Sequence, residues 1–207
     1  MFFRDRSQRG FTLLEVLISL LILLIGLLGI AVLMLRGQRA SFEAYQRQQA
    51  LAMAQEMVEK IRANQGAAAS YVTGTTEDAN LPGGGARFSA YQSLSTDGKC
   101  LTATCTPVQV AQNDVARWDG VLRGASETKD AAANRVGGII SARGCIEQPD
   151  ATQPLFWVSV AWQGEGDTGA PPATASTCGA GLYGAETRRR LVTLNLTTCQ
   201  LVGGACS

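Results

Sequence analysis

Hydrophobic and polar positions fall into three regimes along the chain. Residues 11 to 35, FTLLEVLISLLILLIGLLGIAVLML, are almost unbroken apolar, and no charged side chain occurs from Val16 to Leu35. At about 1.5 Å per helical residue that uncharged run reaches the roughly 30 Å hydrocarbon core of a bilayer, which predicts a membrane-spanning helix. Residues 36 to 63 then turn to a mixed pattern without proline, rich in Ala, Gln, Glu, Met and Arg. Leu51, Ala54, Val58 and Ile61 recur at helical spacing with Ala50, Met53 and Met57 beside them, a wide stripe that should lie on a core. The two patterns join into one predicted helix over about 11 to 64, close to 80 Å long. Met53 and Met57 read as core filling.

Beyond residue 64 the helical period is lost. Residues 65 to 107 are rich in Gly, Ala, Ser and Thr and include Pro82-Gly83-Gly84-Gly85, which predicts irregular structure with at most one short strand. The glycine triplet lacks a following Lys-Ser/Thr and a clear preceding strand, so it reads as a loop and not a phosphate cradle. Asp114, Val115, Trp118 and Leu122 fit a short amphipathic helix with Asp114 near its start and Trp118 as a core anchor. Strand alternation follows: Phe156, Val158, Val160 and Trp162 against Trp157, Ser159 and Ala161, then Val192, Leu194 and Leu196 against Thr193, Asn195 and Thr197, with another strand around 141 to 147. Helix and sheet can cover each other, so the expected class is α+β, an antiparallel sheet laid on the C-terminal half of the long helix. Residues 164 to 184, GEGDTGAPPATASTCGAGLYG, read as a loop, either a partner-facing surface or a solvated excursion. Arg188-Arg189-Arg190 reads as a solvated strand entrance.

Charge and composition narrow the function. A formal net charge of +1 without a long basic stretch argues against nucleic-acid binding. There is no His, which removes the commonest general base, the commonest transition-metal ligand and every Ser-His or Cys-His pair, so no enzyme, cofactor or metal centre is expected. The six cysteines, Cys100, Cys105, Cys145, Cys178, Cys199 and Cys206, are even in number and spaced poorly for a zinc site, so they read as disulfides in an oxidising compartment. Fifteen connectivities are open to six cysteines. Sequence proximity favours Cys100 with Cys105 and Cys199 with Cys206, leaving Cys145 for Cys178. Ser95-Thr96-Asp97-Gly98 and Glu165-Gly166-Asp167 offer too few oxygen ligands for calcium and read as turns, and Asn195-Leu196-Thr197 reads as strand despite matching a glycosylation triplet.

The leader MFFRDRSQRG places Arg4, Arg6 and Arg9 before the apolar run. Positive charge there favours a cytoplasmic N-terminus, with Arg36 and Arg39 beyond the other end pulling the opposite way. The cysteines, all after the apolar segment, settle the orientation by requiring an oxidising side. The apolar run is too long for a secretory signal core and has no small-residue cleavage site after Leu35, so it stays in the mature protein. Glu15 is the exception in the run. A carboxylate in hydrocarbon costs several kcal/mol. It either sits at headgroup level near the positive end of the helix dipole or has a partner outside its own helix. Gly26 and Gly29 could ease close packing, although glycine is common in membrane helices.

Gly10 followed by Phe11-Thr12-Leu13-Leu14-Glu15-Val16 resembles the processing and methylation motif of type IV prepilins. The resemblance implies cleavage between Gly10 and Phe11 by a prepilin peptidase and N-methylation of Phe11. It also supplies a partner for Glu15, the new α-amino group of a neighbouring subunit, which would set axial register. Losing Arg4, Arg6, Arg9 and Asp5 would take the net charge from +1 to −1. The implied organisation is a leader over 1–10, a membrane and filament-core helix over 11–35, its amphipathic continuation over 36–64 and a disulfide-stabilised head over 65–207, the type IV pilin fold. Residues 141–147 (SARGCIE), 158–164 (VSVAWQG) and CGAGLYG followed by the arginines resemble minor pilins more particularly. The partners implied are other minor and major pilins, an inner-membrane assembly platform, membrane lipid and a tip adhesin, with the head periplasmic before incorporation into a surface pilus. A type II secretion pseudopilin shares the first 40 residues and remains the alternative.

Overall fold

In a computed structural model the described residues are 10–76, 80–125 and 138–199, together with the backbone of 201–202 and 205–206. The chain divides into two compact units, Met1–Phe42 and Glu43–Ser207. A single helix, α1 (Leu13–Ala63), contributes to both. The leader residues before Gly10 lie outside the described residues.

In the first unit every described residue from 10 to 42 is exposed. The Thr12 carbonyl accepts from the N–H of Glu15 and of Val16 at 3.0 and 3.3 Å, which starts the helix, and Glu15 falls in its first turn. Phe11, Leu14, Leu17, Leu24 and Leu33 are each more than 60% exposed. At ~1.5 kcal/mol or more for each large aliphatic side chain, covering such a surface is worth on the order of 20–30 kcal/mol. It fits a membrane anchor, since this is the one helix among the described residues long and apolar enough to cross a bilayer.

The second unit is an α+β head. Its remaining elements are α2 (Ala86–Ser93), α3 (Pro107–Leu122), β1 (Arg143–Glu147), β2 (Leu155–Gln163), β3 (Arg189–Thr197) and the short β4 (Leu201–Val202) and β5 (Ala205–Cys206). β1, β2 and β3 form an antiparallel sheet in that order, with Ile146 opposite Val158 and Val160 opposite Val192. Ala50, Ala54, Met57, Val58 and Ile61 of α1, Val115, Trp118 and Leu122 of α3, and Ile146, Phe156, Val158, Val160, Trp162 and Leu196 of the sheet make one core. The alternation read in the sequence is the core face of β2. The α1 stripe is rotated by about one position, with Ala50 buried and Leu51 at its exposed margin. Trp118 donates its indole N–H to the Met53 carbonyl at 3.0 Å, fixing α3 to α1.

Three expectations are corrected. The described residues of 65–107 hold a 3-10 helix (Gln65–Tyr71) and α2, and there is no strand among them. α3 starts seven residues before Asp114, where Thr106 and Gln109 cap each other's backbone N–H groups and Pro107 takes the first turn. The arginine run is a solvated strand entrance only at Arg188, which is exposed, because Arg189 and Arg190 are drawn into the head by ion pairs, that of Arg190 reaching back to α1.

Candidate functional site

The sequence places its strongest signal at the N-terminus. Gly10 has open space around its Cα, Phe11 is 83% exposed, and both precede the first helical turn, so the bond between them is accessible. Glu15 stays in the helix, its N–H also 3.3 Å from the Thr12 hydroxyl, and none of the described ion pairs includes its carboxylate. A methyl group added at Gly26 or Gly29 would meet nothing within 4 Å, so within one chain these glycines serve no close contact. Its described residues therefore present an exposed Gly10–Phe11 bond, one acidic group and a long apolar surface without partners in the chain.

The head is built to hold itself. Cys145 and Cys178 are bonded with Cα atoms 5.7 Å apart, both fully buried, joining β1 to the 164–184 loop. Cys100 and Cys105 close a short exposed loop before α3, with Cα atoms 5.6 Å apart. The Cys199 with Cys206 pairing involves a side chain outside the described residues. Arg189 is 7% exposed; it pairs with Glu186 at 2.6 Å and donates to the Ser176 and Cys178 carbonyls at 3.0 and 3.2 Å. Arg190 pairs with Glu43 of α1 at 3.0 Å, and Arg188 with Asp167 at 3.4 Å. Glu186 has its carboxyl held below the usual value by the Gly181 N–H and by Arg189.

Two polar groups that no sequence motif marks lock the head further. Asp119, fully buried in α3, accepts N–H bonds from Gly83 and Gly85 at 2.7 Å each on one oxygen and from Phe88 at 2.8 Å on the other. Gly83 and Gly85 take φ of +99° and +91°, which favours glycine and turns both N–H groups inward. The glycine loop thus makes an anion-binding nest, and the chain's own carboxylate fills it. Tyr71, buried beneath α1 and α3, donates to Asp114 at 2.9 Å, and Asp114 pairs with Lys60 at 3.1 Å. Burial pushes the phenol up to about 12; the Asn64 amide opposes it, and the hydrogen bond to Asp114 and that group's charge add smaller upward effects. Asp97 accepts from Thr102 and Asp167 from Thr187, so the aspartate of each turn-like segment has a protein partner.

Residues 5–31 match the family described as the prokaryotic N-terminal methylation motif, and residues 32–116 match the family described as type IV pilin Tt1218. No curated protein and no solved structure matches the chain. The two adjoining matches support a type IV pilin-like prepilin, a structural subunit that implies processing by a prepilin peptidase and assembly with other pilins. The long N-terminal helix and three-stranded antiparallel sheet are consistent with the type IV pilin fold.

Proposed function

We propose that this type IV pilin-like prepilin is a minor pilin, similar to the pilus modification protein PilV, which is cleaved between Gly10 and Phe11, methylated on Phe11 and docked into a growing pilus through its apolar helix. The observation that carries the reading is the isolated Glu15 in the first turn of a helix whose apolar residues up to 42 are all exposed, four residues after an accessible Gly10–Phe11 bond. An unpaired carboxylate in hydrocarbon is costly, and a neighbouring subunit's new α-amino group, meeting it where screening is weak, offsets that cost and sets register. The head then presents contacts to other minor pilins and a tip adhesin while the helix sits in the inner membrane before extraction. Residues 1–10 act as leader, 11–35 as membrane and filament core, 36–64 as its continuation, and 65–207 as a periplasmic head.

The test is mass spectrometry of the mature N-terminus in cells with and without prepilin peptidase, with Glu15→Gln followed into filaments. The expected result is peptidase-dependent loss of residues 1–10, a methylated Phe11, and normal processing but at least ~10-fold less incorporation for Glu15→Gln, the factor given by about 1.4 kcal/mol. An intact Met1 in peptidase-positive cells overturns the reading. A type II secretion pseudopilin would share the processing, and loss of protein secretion instead of piliation in a deletion strain would assign the chain to that role.

A further inference from the structure

The sheet has two edges, and they are treated differently. On β1, Gly144 N–H donates to the Pro82 carbonyl at 2.7 Å, Ile146 N–H to the Thr73 hydroxyl at 2.9 Å, and the Ile146 carbonyl accepts from Thr73 and Gly74. That edge is capped by the chain itself. Because 144 and 146 face away from β2, antiparallel alternation directs 143, 145 and 147 toward it. The same alternation sends 156, 158, 160 and 162 of β2 to 196, 194, 192 and 190 of β3, a row that the Thr198 N–H to Pro154 carbonyl bond continues. Leu191, Thr193 and Asn195 therefore point their backbone groups outward, and no described residue pairs with them. β3 is nine residues long and has no proline within it. Natural sheets seldom leave such an edge open unless something pairs with it.

What flanks the edge narrows the partner. A cavity of about 390 Å³ lies between the 169–172 and 175 stretch of the loop and Arg189, Arg190, Leu191 and Thr193. Both arginines already have carboxylate partners and Arg188 is paired with Asp167, so the slot offers no uncompensated charge and fits an uncharged segment. A second copy's β3 would have to bring its own further strands, spaced about 4.8 Å apart, past the loop that lines the cavity, whereas a single extended segment needs only the slot. Pairing along one short edge buries far less than the ~1,600 Å² of an ordinary stable interface, so the segment must belong to a protein already held alongside. We propose that β3 accepts an extended, uncharged strand from a different pilin-type subunit, which pairs with Leu191, Thr193 and Asn195 beneath the 169–175 loop. The proposal rests on the co-assembly read above; the helices bring the subunits together and strand addition selects which one sits at this edge.

The test is amide hydrogen exchange on the full-length processed chain, in detergent and in assembled filaments, with Thr193→Pro followed into filaments beside it. Proline at an outward position removes one donor and leaves the β2 ladder intact. The expected result is fast exchange at Leu191, Thr193 and Asn195 in detergent, slowing of ~10-fold or more after assembly, and a similar drop in incorporation for Thr193→Pro with normal processing. Equal exchange in both states overturns the proposal, and does so on the native chain even if Thr193→Pro folds poorly. Protection already present in detergent with the mass of a dimer overturns the choice of occupant in favour of a second copy. A chain never cleaved before Phe11 removes the co-assembly reading itself, a failure visible in the N-terminal mass independently of exchange.

Discussion

Replacing Asp119 tests whether the glycine nest is held by one internal carboxylate. In Asp119→Ala the N–H groups of Gly83, Gly85 and Phe88 lose their acceptor together. An unsatisfied buried donor costs about 1–3 kcal/mol, and part of the loop can turn toward water, so the expected loss is ~3–5 kcal/mol. That is a large fraction of the roughly 5–15 kcal/mol that holds a domain together. Asp119→Asn is the sharper variant. Its single carbonyl oxygen can serve the two glycines or Phe88 but not both sides, and its amide then faces a donor, for an expected ~1–3 kcal/mol. Urea unfolding of the full-length chain in detergent, with disulfides intact and followed by tryptophan fluorescence beginning with the adjacent Trp118, measures both. An Asn variant within ~0.5 kcal/mol of the native chain, or an Ala variant no worse than Asn, refutes the argument, because either means the nest keeps its shape without the carboxylate.

Tyr71 makes the head sensitive to alkali. Its folded-state value of about 12 stands above the ordinary tyrosine value of 10.0, so the folded chain retains the phenolic proton longer and stability falls as pH rises through that window. At about 1.4 kcal/mol per unit the ceiling of the effect is roughly 3 kcal/mol. Ultraviolet titration should show a late phenolate step near pH 12, and Tyr71→Phe should abolish it. Gly144 packs its Cα on Trp118, and a methyl group there would come within 2.4 Å of two indole carbons. Gly144→Ala should cost ~1–3 kcal/mol by overpacking, read as a lower Tm and an altered near-ultraviolet tryptophan signal. An unchanged Tm would mean that Trp118 moves freely, against its bond to Met53.

The parts of this fold legible in the sequence are those set by local periodicity. The α1 run, the alternating face of β2 and the strand at Arg143–Glu147 need only a count of apolar positions. α2 escapes such a count because none of its residues is buried, so it carries no periodic signal to read. The start of α3 is written in Thr106-Pro107-Val108-Gln109, a capping box that outweighs the charge at Asp114 as a start signal. Arg190 cannot be placed from the sequence, since its partner Glu43 lies 147 positions away. Asp119 is hidden for the same reason. Gly10, Phe11 and Glu15 stand out because their motif is contiguous, whereas the open edge of β3 depends on strand order, which no local pattern encodes.

The division of labour between the two units follows from where each finds its partners. Within the head the β1 edge is capped, the arginines are paired, the nest is filled and a buried disulfide ties the long loop to the sheet. Residues 10–42 bury nothing within the chain, so their stability must come from lipid or from other helices. Apolar contact of that kind says little about which apolar helix supplies it, because burial of apolar surface is non-directional and lipid is as apolar as another helix. In the proposed docking, charge at Glu15 adds axial register yet still recognises any processed N-terminus. Selection among subunits that share these features must therefore reside in the head, where backbone pairing at β3 depends on direction, register and the absence of side-chain charge. A weak edge suffices for that purpose, since the helices supply the affinity and the edge need only discriminate.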